Sequence, residues 1–475
     1  MTDDFHNDVI PLRPTDMRKL NRYRFGHTDY GNAERLVRDH GKVIRYCPPR
    51  KRWLVNVGPR WVWDSTGEID RLAKATVRGI YSEAAKAADK EERQAIAKHA
   101  RDSEKANRIK AMIELASTEL GVPVLPDELD RDPLLLNVAN GTIDLRTGEL
   151  RPHNRDDLIT KLVPIAYNAQ AKHELWDRFI REATGGDESL ASFLQRTAGY
   201  CATGLTTEKH FFFAYSKKPG TGKSTYADAK RAALGDYAMD ADFETWIERT
   251  HNGGNRGDLA RLVGARVVLS VEVQRKAKFD AKLVKGVTGG DPITCAAKYE
   301  GEFTYRPGFK IFLAANDAPY IRDDDRPMFE RCLRIPFDAQ VANPDPRVRS
   351  TLADPTSETG PAILAWIVCG ALMWQRDGLQ VPDAVKASTA AYRAEVDRFD
   401  GFIKEHCFVG HRASVPKGQF RQSYESWCGD AGVRPLSVGE MGQRLAEIGV
   451  VGAKVGSVRS WRGVGLSDDR RDGGT

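Results

Sequence analysis

The sequence predicts an α/β protein: a P-loop core, an α+β leader domain before it and a C-terminal winged helix-turn-helix after it. Three observations carry this expectation. Residues 208–340 read as strand, loop, helix and then further apolar strands, the order of an α/β domain. At its head, "HFFFAYSKKPGTGKSTYADAKRAAL" sets an apolar strand before a glycine-bearing loop and an amphipathic helix after it. The tail, with "FDGFIKEHCF", "KGQFRQSYESWCGDAG", "SVGEMGQRLAEIGV" and "VRSWRGVGL", reads as three short helices followed by a β pair.

The expected divisions are an N-terminal tail (1–28), a leader domain (29–205), the P-loop core (206–345), a helical segment closing the core (346–390), the winged helix (391–466) and a disordered tail (467–475). In the leader, "NAERLVRDHG" is amphipathic and stops at Gly41, after which "VIRYC", "RWLVNV" and "RWVWD" alternate between Pro and Gly turns. A helix and a small meander follow from this. Residues 70–119 are rich in Ala, Lys, Glu and Arg and lack Pro, which favours long helices with a solvated charged face. "DPLLLNVANGTIDLRTGEL" places turn signals between apolar runs and reads as a small β element. "LWDRFIREAT" and "LASFLQRTAGYCATG" then supply two helices that lead into the loop.

At 475 residues the chain is too long for one ordinary domain. No apolar run approaches the roughly 18 residues that cross a bilayer, and "MTDDFHNDVIPLRP" has no secretory h-region, so no membrane partner and a cytoplasmic location are expected. Seven scattered cysteines without a C-x-x-C pair argue against zinc. The net charge of +6 permits a polyanionic partner without requiring one.

In "SKKPGTGKST" the pattern G-x-x-x-x-G-K-[ST] asks for glycine where Lys217 stands. Gly220 and Gly222 allow backbone N–H groups to turn toward phosphate oxygens, and the helix that follows adds its positive end. Gly220, Thr221, Gly222, Lys223, Ser224 and Thr225 are therefore the candidate nucleotide contacts, with Lys223 on the terminal phosphates and Ser224 on Mg²⁺. The alternative is an ordinary strand-to-helix turn. "ARVVLSVEVQ" offers Glu272 at a strand end, where a carboxylate would polarise water and help to hold the metal, or would simply face solvent. "FKIFLAAND" ends at Asn316, whose amide would orient the attacking water; taken alone, Asn-Asp after a strand is also a common turn.

The series "GTGKST", "LVGARVVLSVE", "VKGVTGGDPI", "FKIFLAANDAPYI" and "FERCLRIPF" resembles the superfamily-three helicases, in particular the helicase part of phage and plasmid primase-helicases and the related poxvirus primase-helicase. "DPLLLNVANGTIDLRTGELRPHNRDD" and "DYGNAERLVRDHG" are similar to the domain that precedes that core, so the resemblance runs from about residue 29 to about 466. It implies an AAA+-type ATPase ring, usually a homo-hexamer, using ATP and Mg²⁺, with Lys223, Glu272, Asn316 and Arg331 as catalytic residues. Arg331 would be the arginine finger reaching the neighbouring subunit's ATP, with Arg326 and Arg334 as alternatives. Two departures stand out. The acidic strand carries one carboxylate where relatives often have two, and no segment has room for a catalytic primase domain, which points to a separate primase as partner.

"LVKGVTGGDPITCAAKYEGEFTYRP" matches the family's channel loop and hairpin, where Lys285, Lys298 and Tyr299 would meet single-stranded DNA; a surface hairpin with solvated lysines is the other reading. In the tail, Lys417, Arg421, Arg434, Arg459, Trp461 and Arg462 are candidate DNA contacts, while Phe402 and Trp427 suit a core. The expected function is a DNA helicase of phage, plasmid or mobile-element replication in a bacterial host, acting on single-stranded and forked DNA and moving 3′ to 5′. The alternative is a non-unwinding, ATP-dependent origin-binding or loading factor that recruits a separate primase.

Overall fold

The computed structural model describes residues 25–249, 256–271, 278–296, 301–321, 325–340, 345–396, 398–430 and 435–467. The chain divides into two compact units, Met1–Asp132 with Pro152–Leu162, and Pro133–Arg151 with Val163–Thr475.

In the first unit, α1 (Asp29–His40) precedes an antiparallel meander of β1 (Ile44–Cys47), β2 (Arg52–Asn56) and β3 (Trp61–Trp63). Helices α2 (Glu68–Lys86), α3 (Lys90–Ser103) and α4 (Ala106–Ala116) follow. Leu36, Ile44, Val55, Val77 and Met112 form the shared core, as the amphipathic spacing of α1 and α2 dictates. The charged helices do not only face solvent. Arg35 is buried and pairs with Glu83 at 2.9 Å, and Asn32 is buried against Ser103 and His99.

The second unit opens with the antiparallel strands β4 (Leu135–Val138), β5 (Gly141–Asp144) and β6 (Glu149–Arg151), then α5 (Glu174–Ala183) and α6 (Glu188–Ala202). Its centre is built by β7 (Phe211–Tyr215), α7 (Lys223–Leu234), β8 (Ala238–Asp240), α8 (Gly257–Ala260), β9 (Val267–Val271), α9 (Ala281–Gly289), the hairpin β10 (Ile293–Cys295) and β11 (Phe303–Tyr305), β12 (Lys310–Ala315), α10 (Arg326–Arg331) and β13 (Cys332–Pro336). Five of these strands form a parallel sheet in the order β13-β7-β12-β9-β8. A parallel sheet is covered on both faces, which is why "FFFAY" and, after Lys310, "IFLAA" are apolar without alternation. Phe212, Leu269 and Phe312 go to one core, Phe211, Val268 and Ile311 to the other.

Helices α11 (Pro346–Leu352), α12 (Thr359–Asp377) and α13 (Asp383–Val396) follow the sheet. Residues 133–151 and 163–205, read from sequence as part of the leader, pack here instead. The reason is α12, which lies against α6 so closely that a Cβ on Gly199 would fall 2.0 Å from the Ala371 nitrogen, and one on Gly370 would fall 2.0 Å from the Gln195 carbonyl. Trp176 of α5 meets Trp366 of α12 edge-on at 5.2 Å.

The tail consists of α14 (Arg398–His406), β14 (Cys407–Pro416), α15 (Lys417–Asp430), α16 (Val438–Glu447) and the hairpin β15 (Val451–Val455) and β16 (Val458–Leu466). The sequence reading of three helices and a β pair lacked β14. "FDGFIKEHCF" does not stay helical to its end, because from Cys407 the chain pairs antiparallel with β16. Phe402, Val415, Phe420, Leu445 and Val464 close this core.

Candidate nucleotide site

The loop between β7 and α7 gathers the site. Gly220 at φ +69° and Gly222 at φ +87° are its left-handed positions, so Lys217, which is exposed, sits where no glycine freedom is required. Gly222 has a second reason to be glycine. A Cβ there would lie 3.2 Å from Phe179 Cε2, since α5 packs beneath the loop. At Gly220 the added atom meets nothing within 4 Å, leaving open space over the loop. Ser216 steadies the entrance by accepting from the Lys218 N–H at 3.1 Å. Ser224 and Thr225 lie in the first turn of α7, among N–H groups that have no partner inside the helix.

Lys223 is the convergence point. Only 7% exposed, it donates from Nζ to Asn316 Oδ1 at 2.8 Å, to Thr221 Oγ1 at 3.2 Å and to the Lys218 carbonyl at 3.4 Å. Burial pushes its pKa below the usual lysine value, and Asp338 opposes the shift. The sheet explains the meeting with Asn316. Ala315 of β12 is in register with Tyr215 of β7, so the segments after both strands leave the same edge side by side. On the other flank of β12, Val271 ends β9 in register with Ala314. Glu272 follows it and lies outside the described residues.

Arg331 is not brought to Lys223. It ends α10 just before Cys332, which is in register with Phe211 at the start of β7, so it belongs to the opposite edge of the sheet. Its Nη1 donates to the Pro327 carbonyl at 3.1 Å, and its buried Nε has no hydrogen-bond partner among the described residues. Of the two alternatives, Arg326 is exposed and pairs with Glu330 at 3.0 Å. Arg334 is buried, stacked on Tyr215 and Tyr392 and paired with Glu395 at 3.1 Å, so it serves the interior.

Lys285, on α9, pairs with Asp325 at the start of α10 at 3.1 Å. Lys298 and Tyr299 lie outside the described residues, as does Arg434. In the tail, Arg459 and Arg462 are exposed on β16. Arg421 is held by Glu425 at 2.6 Å and by the Leu436 carbonyl. Trp461 is corrected from a DNA contact to a core residue: it is 8% exposed, and Lys417 Nζ lies 3.7 Å from its ring centre. Phe402 is fully buried with Trp427 against it at 6.0 Å, as a core requires. The sequence reading missed Phe179 as a shaper of the loop; the helical spacing of "LWDRFIREAT" identifies a buried face without showing what it covers.

Residues 33–185 match the family described as D5 N terminal like. Residues 214–331, which contain the loop, Asn316 and Arg331, match a family of unknown function (DUF5906). The chain is 23% identical over 299 residues to "Putative helicase L207/L206" of Acanthamoeba polyphaga mimivirus, covering 58% of this chain and 31% of that one. It is 23% identical over 365 residues to "Putative helicase 022R" of Frog virus 3, covering 60% and 37%. The likeness is thus to a D5 N terminal like domain and to viral proteins named as helicases. The chain spans about a third of the length of these two viral relatives. The A-form apo structure of the NrS-1 C-terminal region aligns with 92% of it, and with 99% of that chain, at 10% identity and a TM-score of 0.49. Among the described residues no helix is long and apolar enough to cross a membrane, and no group of three or more His, Cys, Asp or Glu is placed to hold a metal ion.

Proposed function

We propose that this chain is an ATP-dependent, ring-forming DNA helicase of superfamily three, with an AAA+-type P-loop core and a C-terminal winged helix. The ring is a homo-hexamer, and it moves 3′ to 5′ on single-stranded DNA. The observation that carries the reading is the meeting of Lys223 and Asn316 above the loop whose Gly220 and Gly222 have positive φ. Open α/β sheets bind ligands at the carboxyl ends of their strands, which is where these residues lie. A triphosphate fits this donor set: a buried ammonium, the free N–H groups of α7 and open space over Gly220. Bound ATP supplies the phosphoanhydride to be cleaved, and Mg²⁺ neutralises its oxygens; Ser224 and Glu272 are the residues that would hold the metal.

In this reading Lys223 grips the terminal phosphates and Asn316 orients water. The distance of Arg331 from Lys223 across the sheet supports a site completed by a neighbouring subunit, with Arg331 as the finger. Lys285, Lys298 and Tyr299 line the channel. Lys417, Arg421, Arg459 and Arg462 belong to the DNA-binding winged helix, whose helix, strand, two helices and hairpin follow in the observed order. Of these, Lys285 and Arg421 also carry internal ion pairs. The test is strand displacement on a forked substrate with ATP, using the wild-type chain and Lys223→Ala. Hydrolysis and DNA binding without displacement by the wild type would replace the helicase with an ATP-dependent loading factor that recruits a separate primase.

A further inference from the structure

The segment that follows Asn316 is tied down on two sides. The buried hydroxyl of Tyr392, on α13, donates to the Pro319 carbonyl, three residues beyond Asn316. From the other side, the Phe279 N–H donates to the Tyr320 carbonyl at 3.2 Å, just before α9 begins. Tyr392 is 1% exposed, and its ring meets Phe213 of β7 at 5.9 Å and Phe329 of α10 at 6.0 Å, both edge-on. Phe329 stands two residues before Arg331. Arg334 lies over the same ring at 5.3 Å, and it fixes α13 through Ser388 at 3.0 Å and Glu395 at 3.1 Å. One side chain thus touches the segment after Asn316, the strand that feeds the phosphate loop and the helix that carries Arg331.

We propose that Tyr392 is a positioning residue that couples occupancy of the nucleotide site to the placement of α10 and α13. Lys223 Nζ is engaged by Asn316. Phosphate oxygens compete for that ammonium, Asn316 loses its donor, and the segment through Pro319 takes a second position. The hydroxyl of Tyr392 passes this change to α13, and its ring passes it to Phe329 and so to Arg331. Because a ligand shifts an equilibrium only through differential contacts, the exchange of partners at Lys223 is what drives the change. The inference rests on the ATPase reading above.

The test uses hydrogen exchange of α13 amides, with and without a non-hydrolysable ATP analogue, alongside DNA-stimulated ATP turnover in the full chain. Tyr392→Phe keeps the ring packing and removes only the hydroxyl. In the wild type the analogue changes exchange across α13. In Tyr392→Phe the analogue binds equally, α13 no longer responds, and stimulated turnover falls about tenfold. Lys223→Met removes the donor to Asn316 without nucleotide, so α13 in that variant should resemble the analogue-bound wild type. If α13 responds in Tyr392→Phe as in the wild type, or is unchanged in Lys223→Met, the coupling role is overturned while the ATPase reading survives. A wild type that neither binds the analogue nor hydrolyses ATP overturns both.

Discussion

Lys223 Nζ donates to Asn316 Oδ1 at 2.8 Å, joining residues 93 positions apart at the carboxyl ends of two adjacent parallel strands. If Lys223 also grips phosphate as proposed, the same ammonium has two competing partners. Lys223→Ala should therefore abolish ATP turnover together with tight nucleotide binding. Asn316→Ala keeps Lys223 and the loop, so it should retain binding and lower turnover by about 10²–10³, the usual cost of losing one positioned polar group at a reacting centre. Titration of a fluorescent ATP analogue beside steady-state hydrolysis separates the two outcomes.

The two loop glycines should not be equivalent. Both have positive φ, where a side chain costs about 1–3 kcal/mol. Gly222→Ala adds a methyl 3.2 Å from Phe179, whereas Gly220→Ala points its methyl into open space. Gly222→Ala is thus expected to be the less stable of the two and to displace the start of α7, weakening nucleotide affinity by more than Gly220→Ala does. Denaturant melts and analogue titration of both variants give the order directly.

What was legible in the sequence was what local chemistry determines. The strand, loop and helix around "GTGKST" appear where the apolar run and glycines put them, and Asn316 follows its strand as read. What was hidden depends on partners distant in sequence. The allocation of 133–151 and 163–205 to the second unit rests on contacts with α12 that no local pattern encodes, among them Gly199 with Ala371, Gly370 with Gln195, and Gln375 Nε2 donating to the Leu145 carbonyl at 2.7 Å. Likewise β14 exists because β16 pairs with it, and Cys407 and Phe408 looked like the end of a helix until that partner was present. Trp461 looked like a DNA contact because arginines lie near it, but its ring is buried in the core while Arg459 and Arg462 are exposed; alternation turns Arg462 to the opposite face from Trp461. Glu272, Lys298 and Tyr299 lie outside the described residues, so their roles rest on the sequence.

Lys230 gives the protein a stability that depends on pH. It is 1% exposed, its Nζ has no hydrogen-bond partner among the described residues, and it sits 3.1 Å from the centre of the Phe312 ring. Burial lowers its pKa from 10.5 to about 8. The unfolded chain therefore holds more protons at this site than the native chain between those values, and stability from this group rises with pH across that window. Lys230→Met, which keeps the stem and removes the charge, should stabilise the fold by about 1–3 kcal/mol at neutral pH. The advantage should shrink as pH rises from 8 toward 10.5. Urea melts of wild type and variant at several pH values measure that difference, and a pH-independent gap would assign it to packing instead.

In the C-terminal domain, exposed and buried residues should separate by salt dependence. Arg459 and Arg462 stand exposed on β16, whereas Trp461 between them is buried beneath Lys417. If the arginines contact phosphate, each substitution to Ala removes about one released counterion, lowering the slope of log affinity against log salt by roughly 1. The double variant Arg459→Ala with Arg462→Ala should lose DNA affinity mostly at low salt, keep its thermal stability and retain ATP hydrolysis without DNA. Trp461→Ala instead opens a cavity in the core of Val415, Phe420 and Leu445, at a cost of about 3–5 kcal/mol. It should melt the domain before any binding effect is measured. Salt-titrated fluorescence anisotropy with circular dichroism melts distinguishes them, and an unchanged salt slope in the double arginine variant would remove β16 from the DNA surface.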